Sequence, residues 1–211
     1  MSRKRIFSFL VGLIFLALTG AADEPSPVLA RFNQQQRQDL LAGKAIYQSV
    51  RSKDEAGNLQ GHGEGIALIN ADVDKCFKLF CDFNRQAQYF PRKKLSQIIK
   101  QEGNVYHVQK EFGFYVKDIR YVVEYTVDEE NHTVKFRMLK DYPHDLKESE
   151  GFFRFEKLEA KRTLFTYAVT KVDTGLAVPK FIQDYLSSKD LPAVVENAKK
   201  FIESDGKWKK E

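Results

Sequence analysis

Cysteine is scarce in this chain. Cys76 and Cys81 are the only two among 211 residues, which excludes the disulfide framework that holds many small exported domains. On one helix, positions five apart stand about 140° from each other, too far round for a bridge. Two small buried apolar side chains are the expected outcome. Histidine is as thin: His62, His107, His132 and His144 are scattered and pair with no cysteine at ligand spacing, so no metal site is expected. Proline and glycine are too few for a collagen-like or low-complexity chain. No Ser-His-Asp, Cys-His, phosphate-loop or paired-carboxylate arrangement stands out, so no catalytic residue and no cofactor is assigned.

Long apolar runs are missing too, except at the start. Arg3, Lys4 and Arg5 precede the run Ile6 to Leu18, and small residues follow from Thr19 to Ala22. This order is that of a cleaved secretory leader over residues 1–22. The run is shorter than the ~20 residues needed to cross a bilayer. Export, to the periplasm, is the expected address. An excess of positive charge is also lacking. The chain carries +5, the leader accounts for three of those charges and no acid, and the remainder is +2. Nucleic acid is therefore not an expected partner.

What is present is a core-forming pattern, with 43% hydrophobic residues, 17 Phe and 9 Tyr. Residues 23–43 comprise a Pro-rich linker and a short helix stopped by Gly43. Strands are expected at "KAIYQSVR" and "LQGHGEGIALIN". In the second, Gly61, Gly63 and Gly65 share one face and leave the backbone open to close approach by another element. Asp72 is a plausible N-cap for "VDKCFKLFCDF", and Asn84 for the short helix "NRQAQYF" that Pro91 ends. From Lys94 the pattern is a strand meander. Ile119, Tyr121, Val123, Tyr125 and Val127 alternate with Arg120, Glu124 and Thr126, which predicts an antiparallel sheet covered on one face. The cover is the apolar stripe from Phe181 to Ile202, a long helix expected to kink or restart at Pro192, with Asp190 available to cap a restart.

This layout of strand, two short helices, meander and terminal helix resembles the START-like superfamily, the polyketide cyclase/dehydrase and coenzyme-Q-binding group. The resemblance is carried by "GEGIALINADVDKCFKLFCDFNRQAQYFPRKKLSQII" and "DTGLAVPKFIQDYLSSKDLPAVVENAKKFI". It implies an α+β helix-grip fold over residues 44–205, a curved antiparallel sheet wrapped on the kinked C-terminal helix, with residues 206–211 left as a charged tail. It also implies a cavity for a hydrophobic small molecule or lipid.

The expected cavity lining is Tyr121, Tyr125, Phe136, Met138, Phe153, Phe155, Phe181, Tyr185 and Val194. Tyr89, Phe90, Arg92, Lys93 and Lys94 set two aromatics beside three cations at a turn. They are the candidates for transient contact with an anionic membrane, against the plainer reading of a solvated basic turn. Two functions follow: an exported binding or transport protein for a lipid, isoprenoid or quinone, or an aromatase/cyclase-type enzyme. The enzyme would need a positioned acid or base, for which His107, Glu111, Arg120, Glu124 and Tyr121 are the candidates. Alternation turns Arg120 and Glu124 away from the covered side, where cross-strand ion pairs are the simpler use.

Overall fold

The computed structural model describes residues 26–53, 59–113, 118–173 and 180–211, and the side chains of the C-terminal helix from residue 189 onward. The leader assigned to residues 1–22 lies outside the described residues, as do the side chains of Phe181 and Tyr185.

Eight strands form one antiparallel sheet. In chain order they are β1 (Ile46–Lys53), β2 (Leu59–Ile69), β3 (Lys93–Glu102), β4 (Val105–Phe112), β5 (Ile119–Asp128), β6 (Thr133–Met138), β7 (Glu148–Glu159) and β8 (Arg162–Asp173). Their order across the curved sheet is β1-β2-β8-β7-β6-β5-β4-β3. Among the described residues three helices accompany it: α1 (Gln34–Leu41), α2 (Val73–Phe80) and α3 (Lys180–Glu203), with a 3₁₀ turn at Phe83–Gln88.

Local chemistry sets the helix ends. Asn33 accepts from the Gln36 amide at 2.9 Å while the Gln36 side chain accepts from the Asn33 amide at 3.0 Å, a reciprocal cap on α1. Gly43 follows that helix with φ of 81°. Asp72 caps α2 by accepting from the Lys75 amide at 2.8 Å. The expected Asn84 cap is corrected. Asn84 lies inside the 3₁₀ turn, and its side chain accepts from the Ile98 amide at 2.8 Å, tying the turn to β3.

The inner face of the sheet meets α2, the 3₁₀ turn and α3 in the main core. Helix α3 crosses β2 where the strand has no side chains. A Cβ on Gly65 would stand 2.4 Å from the Leu191 carbonyl oxygen and 3.0 Å from the Pro192 nitrogen. The expected restart at Pro192 is also corrected, because α3 runs through it as one helix. Pro192 cannot donate a backbone hydrogen bond, and this turn lies directly on the glycine backbone of β2. Asp190 caps no helix among the described residues. It pairs with Arg92 at 3.5 Å.

Two further expectations change. The sheet is not covered on one face only: Leu29, Phe32 and Leu40 close over Ile66, Leu68 and Leu164 on the outer face of β2 and β8. The N-terminal extension therefore builds a second, smaller core. The last residues are not a free charged tail. Trp208 packs on the main core, Arg85 donates to the Gly206 carbonyl, and the Lys210 ammonium donates to the carbonyls of Phe90 and Lys93 at 2.6 Å each. Removing residues 207–211 is expected to cost about 2 kcal/mol, since two charge-assisted bonds and an aromatic contact go together. Guanidinium unfolding checks this, and an unmoved midpoint would contradict it.

Candidate functional site

Alternation along β4 turns Val108 and Lys110 inward to full burial and leaves His107, Gln109 and Glu111 on the outer face. On β5 it turns Tyr121, Val123, Tyr125 and Val127 inward, all buried. These strands and β6 to β8 enclose an interior with two different ends.

One end is filled with rings. Phe83 stacks on Tyr125 with centroids 4.3 Å apart, Phe155 on Phe165 at 4.4 Å and Tyr89 on Phe201 at 4.4 Å. Val195, Ala198 and Ile202 of α3 seal it. The other end is less tightly closed. Phe112, Ile119 and Tyr167 pack against the core yet are only half-buried. Tyr121, Met138 and Ser149 lie beside them, each retaining slight exposure.

The interior also holds polar groups that a plain core would avoid. Lys93 is 1% exposed and donates to the Gln86 side-chain oxygen at 2.8 Å; the Tyr125 hydroxyl donates to the same oxygen at 3.1 Å. The Lys93 ammonium also lies 3.6 Å from the Phe90 ring centroid. The Gln86 amide nitrogen and the Tyr89 hydroxyl are buried without a hydrogen-bond partner, an unusual state for interior polar atoms. Lys110 is 4% exposed, and its ammonium faces the rings of Tyr125 at 4.6 Å, Phe136 at 5.4 Å and Tyr121 at 5.9 Å. Burial brings Lys110 down to about 7 and holds Lys93 well below the ordinary lysine value. Burial also raises the Tyr121 phenol, against the opposing effect of a hydrogen bond to Ser149.

Of the expected lining, Tyr121, Tyr125, Phe136, Met138, Phe153, Phe155 and Val194 are all buried. Tyr121, Tyr125 and Phe136 surround Lys110, and Phe153 packs on Phe136 at 5.3 Å and Tyr167 at 4.6 Å. Phe155 belongs to the ring-filled end with Phe77, Phe80 and Phe165. The surface-contact set is corrected in part. Tyr89, Phe90 and Lys93 are interior, so they offer nothing to a membrane surface. Arg92 and Lys94 stay outside and pair with Asp190 and Asp118, the latter at 2.8 Å. Lys110 was not among the expected site residues, although it shares the face of Val108 two positions away.

The candidate acid–base set is split by the sheet. Arg120 pairs with Glu111 at 2.8 Å and Glu124 with Arg137 at 2.8 Å, cross-strand ion pairs of the outer face. His107 lies with them, 3.2 Å from the Tyr142 hydroxyl and 3.5 Å from Glu124, while Tyr121 faces the interior. Two open depressions of about 510 and 390 Å³ also lie over this outer face. Their charged linings, including Glu124, Lys135, Arg137 and Glu150, suit water better than an apolar ligand. Both cysteines are free, and burial pushes their thiols up to about 11 at Cys76 and about 12 at Cys81.

No protein-family model and no curated protein matches the sequence. Solved structures do match. A STAR-related lipid transfer protein from Xanthomonas axonopodis aligns with a TM-score of 0.59 at 14% identity, over 74% of this chain and 93% of that one. The Zhui aromatase/cyclase from a Streptomyces species aligns at 0.55 and 16%, over 76% and 98%. Human StAR-related lipid transfer protein 5 aligns at 0.53 and 10%, over 81% and 91%. The fold is START-like. In this START-like sheet the gripped helix is α3.

Proposed function

We propose that the protein binds or carries a hydrophobic small molecule, a lipid, isoprenoid or quinone, between the inner face of the sheet and α3. We further propose that it does so as an exported, periplasmic protein after loss of residues 1–22. The observation that carries the binding reading is the incomplete burial of Phe112, Ile119 and Tyr167, grouped around the buried Tyr121 and Lys110 on the inner face. Ligand pockets are concave and mostly apolar with a few placed polar groups, which is the composition at this end. START-like neighbours that are named as lipid transfer proteins support the same reading. Transient contact with an anionic bilayer is part of the proposal and rests on Arg92 and Lys94, at the start of β3.

An aromatase/cyclase, the activity named for another neighbour, is less well supported. His107 and Tyr121 lie on opposite faces and cannot act on one substrate. The test is mass spectrometry of the mature protein purified without detergent, followed by solvent extraction. A stoichiometric apolar molecule is expected. An empty protein that also fails to take up a fluorescent lipid would overturn the reading.

A further inference from the structure

We infer that the ligand carries a single carboxylate, which docks on the Lys110 ammonium with the Tyr121 hydroxyl beside it. The inference rests on the binding reading above and adds the chemistry of the headgroup. Lys110 sits in the middle of the inner wall at 4% exposure, with no hydrogen-bond or ion-pair partner among the described residues, only the faces of three rings. Rings attract an ammonium but do not replace the water it has lost. A buried charge is normally paired, and this one has no such partner among the described residues.

The surroundings deepen the imbalance. The charge of Lys110 adds to burial in lowering Lys93, whose side-chain hydrogen-bond partner is the neutral Gln86. Two of the more buried carboxylates, Glu64 and Asp190, are engaged elsewhere. Glu64 is buried beside Gln48 and His62 at 2.7 and 3.1 Å, on the strand face opposite the glycines. Asp190 is held by Arg92. The titratable groups facing Lys110 are therefore Lys93 from β3 and Tyr121 and Tyr125 from β5. A phosphate is matched best by an arginine fork or several backbone amides, and no described arginine stands beside Lys110. One ammonium and one hydroxyl fit the two oxygens of a carboxylate.

Three probes with the same sixteen-carbon chain separate the possibilities: palmitate, 1-hexadecanol and hexadecyl phosphate. Each is titrated into the delipidated full mature chain by displacement of N-phenyl-1-naphthylamine. Palmitate is expected to bind at least about 30-fold more tightly than the alcohol, and more tightly than the phosphate. In Lys110→Met that preference is expected to vanish while the alcohol binds within about threefold of wild type, which also shows that the variant folds. Should the variant not fold, calorimetry on the wild type decides. With Lys110 near 7, palmitate binding at pH 8 must draw a proton from solution, seen as different heats in phosphate and Tris buffers.

Equal affinities for acid and alcohol in the wild type, or a preference for the phosphate, would each overturn the carboxylate assignment while leaving hydrophobic binding intact. Failure of all three probes to bind would overturn the binding reading and the headgroup with it.

Discussion

Gly65→Ala is expected to lower the stability of the protein by about 3 kcal/mol, the upper end for an overpacked site. The added methyl would meet the Leu191 carbonyl at 2.4 Å and its carbon at 2.5 Å. Both are backbone atoms of a helix, so no rotamer change relieves the clash, and α3 must lift from β2. Gly63→Ala is the internal control. Its methyl meets the Tyr47 ring at 2.8 Å and a Leu191 methyl at 3.0 Å, side-chain atoms that can move, so a loss of about 1 kcal/mol is expected. Urea unfolding at constant m-value measures both. Equal losses, or a Gly65→Ala protein as stable as wild type, would show that the helix does not rest on the strand backbone.

Lys110→Met is expected to do the reverse and stabilise the ligand-free protein by about 2–3 kcal/mol at pH 7. An ammonium whose value falls from 10.5 to about 7 on folding resists burial by several kcal/mol, and the lost ring contacts offset part of the gain. The sign of the pH dependence follows. Between 7 and 10.5 the unfolded lysine holds its proton while the folded one has released it, so stability rises with pH across that window. The wild type should gain roughly 2 kcal/mol from pH 7 to pH 9, with Lys93 acting in the same direction. Above pH 9 the raised thiols of Cys76 and Cys81 act in the opposite sense, so the comparison belongs below that point. The variant should lose the Lys110 share of the slope and keep the share that Lys93 supplies. A wild-type stability that is flat from pH 7 to pH 9 would mean Lys110 keeps its water.

Much of this architecture was legible because period-two and helical patterns report which side of an element is buried. The inward set on β5 was read from alternation alone, and the bare glycine face of β2 announced a close approach that turned out to be α3. The interior cations were harder to see, for two different reasons. Lys110 keeps step with Val108, and only the rarity of buried lysine hides it. Lys93 sits in a run of three cations that reads as a solvated turn. Its inward orientation depends on Arg92 adopting φ of 56° and on a register shift between Lys93 and Leu95, neither of which residue types disclose. The outer-face cover was invisible for a third reason. Helix α1 is polar over its first six residues and buries only Leu40, so its value lies in the segment around Leu29 and Phe32 that it anchors.

The most direct test of a ligand held between sheet and helix is nuclear magnetic resonance of the protein with uniformly ¹³C-labelled palmitate. Contacts from the chain to the side-chain protons of Phe112, Ile119, Tyr121 and Tyr167 are predicted, with none to Phe155 or Phe165 in the ring-filled end. Contacts confined to the outer face, among Thr126, Lys135 and Arg137, would contradict the account.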